Sequence, residues 1–215
     1  MPTPVVAPLG RVRHDGGADG PYDRPVPAED GPQLGTPTLI GPRVLLRAPV
    51  PADADAFLEA VRDSAALHAG LATPPATHEA FGGYLERLAG PTVEGFLVVR
   101  RDDGALVGRV TLSQIFRGEF LNAYLGYEAF AGQERRGLLT EAVGLVLDHA
   151  FGALGLHRVE ANVQPGNVPS QRLLARLGFR LEGYSPSYLR VDGAWRDHER
   201  WALLTDEHRG GTADA

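Results

Sequence analysis

The chain has 215 residues, 43% of them hydrophobic and 22% charged, with a net charge of −6. That suits one α/β-sized domain with its own core and gives no global charge for gripping nucleic acid or an anionic membrane. All 21 cationic residues are arginines, which excludes Schiff-base and P-loop lysine chemistry, and with no cysteine there is no thiol nucleophile, disulfide frame or thiolate metal site.

Residues 1–37 hold eight of the 17 prolines and six of the 27 glycines without any apolar period. This composition predicts a flexible tail, followed by a domain over 38–205 and a C-terminal tail over 206–215. The domain opens with a β-rich stretch, Arg43 to Arg47, that stops at Pro49. A helix starting at Pro51 follows, with Phe57, Leu58 and Val61 on one face, then a second from about Thr77 to Leu88, closed by Gly90-Pro91. Two strands, 95–100 and 106–112, flank Asp103-Gly104, a pair that supplies the positive φ of a tight hairpin turn. A third strand, 122–127, follows the Arg117-Gly118 turn.

The order then changes. Leu139, Ala142, Val143, Val146, Leu147, Ala150, Phe151 and Leu154 recur at helical spacing, with Gly155 as the stop. A strand over 158–163, a helix from Val168 to Leu177 capped by Asn167, and two strands around Asp192-Gly193 complete the series. Meander, helix, strand, helix and hairpin give a single α/β (α+β) domain. Its central sheet is mixed, mostly antiparallel, of about six to seven strands, with helices on both faces. No apolar run approaches a membrane span and no signal-peptide core occurs, so the expected location is cytoplasmic.

Chemistry concentrates in two places. The loop Glu134-Arg135-Arg136-Gly137 runs straight into the helix beginning Leu138-Leu139. A glycine there lets anion oxygens reach backbone N–H groups at the positive end of a helix dipole, and two guanidinium groups stand beside it. The loop either holds a polyphosphate or merely shapes a turn. Thirty residues on, Asn167 caps a helix whose first turn carries Ser170; together with the loop, this order and spacing suggest a coenzyme A site. Glu119, beside Gly118 at a strand entry, reads as a cleft carboxylate or as a solvated turn residue. The seven histidines show no ligand spacing, so no metal is expected.

Several stretches resemble the GNAT superfamily of acyl-CoA N-acyltransferases: Arg117-Gly118, Leu125-Gly-Tyr127, Gly137 to Ala142, Leu173 to Phe179 with Glu182-Gly-Tyr184, and Tyr188 to His198. The last is the most specific, and it is similar to the ribosomal-protein-alanine N-acetyltransferases of the RimJ and RimL type. The resemblance implies a GNAT-like fold over residues 38–205 and acetyl-CoA as co-substrate. It implies pyrophosphate contacts along Glu134, Arg135, Arg136, Gly137, Leu138 and Leu139, pantetheine pairing along Tyr127, Glu128 and Ala129, and further contacts from Asn167 and Ser170. The acceptor it implies is a protein N-terminus, ribosomal in its relatives, without nucleic acid or membrane and with a homodimer possible. Two departures stand out: Glu134 and Leu139 replace the usual first and last residues of the loop pattern, and Ser187 occupies a slot where relatives carry a carboxylate.

The mechanism expected is direct transfer in a ternary complex. Holding an α-amine neutral at pH 7 costs about 1–1.4 kcal/mol, against about 4.6 kcal/mol for a lysine side chain. Missing a carboxylate base is therefore tolerable for a peptide N-terminus. Ser170 is the expected hydrogen-bond donor to the leaving thiolate, and Glu119 or the Tyr124 phenol, through water, the expected proton acceptor. A small amine acceptor (an antibiotic, amino acid or polyamine) and a non-catalytic acyl-CoA-binding regulatory module are the alternatives.

Overall fold

The computed structural model describes residues 38–210, so the expected N-terminal tail lies outside the described residues. The strands are β1 (Leu39–Ile40), β2 (Val44–Arg47), β3 (Glu94–Arg100), β4 (Leu106–Phe116), β5 (Asn122–Ala129), β6 (Arg158–Val163), β7 (Arg180–Val191) and β8 (Ala194–Leu204). The helices are α1 (Ala54–Asp63), α2 (Ala65–His68), α3 (His78–Leu88), α4 (Leu138–Phe151), α5 (Val168–Arg176) and α6 (Thr205–Gly210). All eight strands form one sheet in the order β1-β2-β3-β4-β5-β6-β8-β7. The strand beyond the expected seven is β1, whose two residues pair with Leu45 and Leu46 and are too short for an apolar period to reveal. The C-terminal segment assigned to a tail begins as α6, because His208 reaches Asp148 of α4 at 2.7 Å.

Each face of the sheet carries its own core. On one, α4 buries Leu138, Ala142, Val143, Val146, Leu147, Ala150 and Phe151 against Val110 and Leu112 of β4, Leu125 of β5 and Val159 of β6. Each buried valine, leucine or phenylalanine among them contributes about 1.5–3 kcal/mol. On the other, Phe57, Leu58 and Val61 of α1 meet Phe81 and Tyr84 of α3 above Leu97 and Phe130. Thr77 caps α3, its hydroxyl accepting from the Ala80 N–H at 3.1 Å.

The feature that positions the site is a failure of pairing. β5 and β6 are parallel partners only from Asn122↔Arg158 to Tyr124↔Glu160. Beyond that, β5 stays with β4 as far as Ala129, while β6 follows β8 up to Val163↔Glu199. The strands diverge, leaving the facing edge of residues 125–129 without a strand partner, and buried backbone donors and acceptors of that kind call for a ligand or water. Gly108 is required opposite this stretch, since a Cβ there would lie 2.1 Å from the Glu128 carbonyl oxygen. The far end of β5 is tied down: His68 Nε2 bonds the Ala129 carbonyl at 2.8 Å and Ser64 Oγ accepts from the Ala131 N–H at 2.8 Å.

Candidate active site

The loop ahead of α4 is shaped from behind. Gly137 takes φ +74°, which a residue with a side chain adopts only at a cost, and Arg135 also lies at positive φ, +61°. Arg43, at the entry to β2, donates from Nη1 to the Arg136 carbonyl at 3.0 Å and from Nη2 to the Gly137 carbonyl at 3.2 Å. Peptides are trans, so pulling these carbonyls one way turns the N–H groups of Gly137 and Leu138 the other way, outward at the positive end of α4. Glu141, one turn into α4, fixes Arg43 in turn: Oε2 accepts from its Nε at 2.7 Å and Oε1 from its backbone N–H at 2.7 Å. Burial pushes the Glu141 carboxyl up, but hydrogen bonds from the Arg43 backbone and guanidinium and from the Val44 N–H outweigh it, and the group ends below its ordinary range. These outward N–H groups fit a diphosphate.

The loop's side chains divide. Glu134, Arg135 and Arg136 are exposed, and Arg136 donates to Gln133 Oε1 at 3.1 Å. Leu138 is buried and Leu139 packs on the same core. The departures from the family pattern therefore leave the backbone donors intact: Glu134 points no buried charge at the loop, and Leu139 faces the core.

A cavity of about 470 Å³ passes through the sheet where β5 and β6 part. On the α5 side its walls include Tyr127, Asn167 and Ser170. The Asn167 side-chain oxygen accepts the Ser170 N–H at 3.2 Å, capping α5 and aiming its first turn at the opening. Ser170 Oγ and the Tyr127 hydroxyl share a hydrogen bond of 2.6 Å. Burial pushes the Tyr127 phenol up to about 12, with the Ser170 contact pulling the other way. The phenol thus stays protonated near neutrality, and the pair can donate a hydrogen bond.

On the α3 side the same cavity is walled by Tyr84, Arg87, Arg109, Glu128, Asn162 and His198. Glu128 is ion-paired with the Arg109 Nε and nearly buried, and Arg109 also lies over the Tyr84 ring, 5.1 Å from its centroid. The Tyr84 hydroxyl and Asn162 Oδ1 are buried and have no hydrogen-bond partner among the described residues.

The structure thus brings Tyr127, Glu128, Asn167 and Ser170 to one cavity and puts residues 134–139 at the head of α4. Ala129 ends β5, its carbonyl already held by His68. Glu119 stands elsewhere, and Tyr124 lies just behind the wall, its phenol bonded to the Tyr188 that packs on His198. Glu119 sits exposed in the β4–β5 turn, whose Arg117 bonds the Leu154 carbonyl beyond the other end of α4. From Asn122 to Tyr127 is about 17 Å of strand. Tyr124 lies in the closed part of the β5–β6 pair, its phenol raised by burial and then by Glu160 and Tyr188, and it does not line the cavity. Ser187 occupies an exposed bulge of β7 at φ +47°, with its N–H on Asp197 Oδ1. Sequence reasoning missed Arg43, Glu141, Tyr84, Arg109 and Asn162, and weighed His198 only as a metal ligand. Among the described residues no cluster of three His, Asp or Glu side chains could hold a metal ion, and no helix is long and apolar enough to cross a membrane.

A loop with outward N–H groups at the head of α4 thus lies beside a sheet that opens between two parallel strands. Residues 43–180 fit the family described as Acetyltransferase (GNAT) domain. The chain belongs to that family. A Bacillus subtilis protein named "Probable N-acetyltransferase YjcK" is 40% identical over 124 residues, covering 58% of this chain and 68% of that one. The [ribosomal protein uS5]-alanine N-acetyltransferase of Escherichia coli is 39% identical over 110 residues, 51% of this chain and 57% of the relative. The chain thus spans little more than half of that enzyme. Among solved structures, Mycobacterium smegmatis RimJ in complex with CoA-disulfide superposes with a TM-score of 0.73 at 31% identity, covering 80% of this chain and 88% of that one.

Proposed function

We propose that the chain transfers the acetyl group of acetyl-CoA to the α-amino group of a protein N-terminus. The observation that carries this reading is the cavity through the sheet, with a hydrogen-bond-donating pair on one side and unpartnered polar groups on the other. Acetyl-CoA supplies the activated thioester. The outward N–H groups of Gly137 and Leu138 hold its diphosphate, and the open edge of β5 takes its pantetheine arm as an added strand. Tyr127 and Ser170 deliver a proton to the departing sulfur. The solved neighbour with a coenzyme A derivative supports this placement, and the uS5-alanine relative supports a protein acceptor.

The acceptor side disfavours a polyamine. Its carboxylate, Glu128, is spent on Arg109, and Arg87 adds a further positive charge. A polycation needs free anions where this wall offers guanidinium groups, whereas one α-amine needs only hydrogen-bond acceptors. Thiol release should be followed with peptides beginning in Ala or Ser, with spermidine and with aminoglycosides. Faster turnover of either small amine overturns the N-terminal reading, and no turnover with intact acetyl-CoA binding favours a non-catalytic module. Within the reading, Ser170→Ala should lower kcat about 10-fold or more while leaving acetyl-CoA affinity unchanged.

A further inference from the structure

With Glu119 and Tyr124 outside the cavity and Ser187 in the carboxylate slot, the attacking amine lacks an assigned proton acceptor. We propose that His198 of β8 is that group, taking the proton at Nε2. This rests on the acetyltransferase reading above.

His198 is 3% exposed and forms part of the acceptor-side wall. Its Nδ1 lies 3.0 Å from the Arg196 carbonyl oxygen. A carbonyl only accepts, so the neutral ring carries its hydrogen on Nδ1 and leaves a bare lone pair on Nε2. The described residues offer Nε2 no hydrogen-bond partner. Tyr188 of β7 packs on the ring, with centroids 6.2 Å apart, and holds its plane.

The other charged or titratable groups on the cavity walls are Arg87 and Tyr84 of α3, Arg109 of β4, and Tyr127 and Glu128 of β5. Glu128 is taken by Arg109 and Tyr127 by Ser170. Arginine does not give up its proton, and buried phenols are poor acceptors. His198 is the remaining wall group with a free nitrogen lone pair, the kind of atom that takes a proton in general-base catalysis.

The step balances as follows. An acceptor ammonium gives one proton to Nε2, and the freed nitrogen lone pair attacks the thioester carbon. The C–N bond forms, the C–S bond breaks, and its electron pair leaves on sulfur. The second proton of the new amide nitrogen reaches that sulfur by way of the Ser170–Tyr127 pair. His198 then returns its proton to solvent.

The test uses the full chain, His198→Gln and His198→Ala, with the fastest amine of the panel above. The expected result is a kcat lowered about 100-fold in both variants, with acetyl-CoA affinity and melting temperature near wild type. Wild-type kcat at saturating acceptor should fall as the pH drops through the imidazole range, and the His198→Gln profile should be flat there. Added imidazole should recover part of the His198→Ala rate. An unchanged kcat overturns the proposal, as does a lost kcat with an unaltered pH profile and no recovery, which marks a structural role. A further readout needs no turnover: in long-range ¹H–¹⁵N spectra of ¹⁵N-histidine protein, the ring signal absent from His198→Gln should show Nδ1 protonated and Nε2 bare. Nε2 carrying the hydrogen of the neutral ring overturns the proposal even if no amine is turned over. An inactive wild type whose spectrum shows bare Nε2 counts against the acetyltransferase reading alone.

Discussion

The two sides of the cavity are built to different standards of completion. On the α4 and α5 side the polar groups are paired: Arg43 with Glu141 and two loop carbonyls, Asn167 with the Ser170 N–H, Ser170 with Tyr127. On the α3 side the Tyr84 hydroxyl and Asn162 Oδ1 are buried without partners among the described residues. A buried polar atom left unpaired costs about 1–3 kcal/mol, so such atoms persist where something else satisfies them part of the time. On the proposed reading the first side is preorganised for a molecule that never changes, and the second keeps open valences for an acceptor.

The largest expected effect attacks the finished side. Gly137→Val places a β-branched residue at φ +74° and a Cβ 3.4 Å from Arg43 Nη2. The backbone strain costs about 1–3 kcal/mol and turns the loop N–H groups away, so calorimetry should find acetyl-CoA affinity reduced about 100-fold or more. Retained affinity breaks the contrast between the two sides. Next, Tyr127→Phe leaves Ser170 without its partner and should lower kcat about 100-fold while acetyl-CoA binding changes little. A change in affinity instead of kcat reassigns the phenol to binding.

Glu141→Gln removes the charge that fixes Arg43, itself about half exposed, and should cost about 1–2 kcal/mol of stability together with a several-fold weaker hold on acetyl-CoA. The pH dependence has a definite sign. A carboxyl held below its ordinary 4.5 stabilises the fold fully above that value and loses the contribution as pH falls through the lower folded value. Melting temperature should therefore drop on acidification below about 4.5, and the drop should be smaller in Glu141→Gln. The smallest effect belongs to the unfinished side. Asn162→Leu should leave stability within about 1 kcal/mol of wild type and acetyl-CoA affinity intact, since it deletes an unpaired atom. KM for the acceptor should rise; an unchanged acceptor KM removes Asn162 from the acceptor wall.

What was legible in the chain follows the range of the interactions. Asp103-Gly104 and Asp192-Gly193 announce their hairpins because turn chemistry is local, and α4 announces itself through seven apolar residues in register. The turn into α4 is legible for the same reason, as a glycine against a helix start. Arg43 and Glu141 are 98 residues apart, and no local pattern links them. Glu119 was misleading because a carboxylate beside a glycine at a strand entry looks the same at either end of β5; only the β5–β6 register shows that this end is zipped and the other open. His198 is a histidine in a hairpin strand until β8 is seen to lie next to β6, which brings it to the rim of the opening.

Since the opening reaches both faces of the sheet, the proposed reaction would give each substrate its own doorway, and the acetylated product would back out while the spent thiol still occupied the opposite porch. A covalent hybrid of acceptor and coenzyme would have to be threaded, lying across β5 and β6 like a bolt through a plate. Such a molecule should be slow to enter and slower to leave, and the length of its linker would gauge the thickness of the wall it crosses.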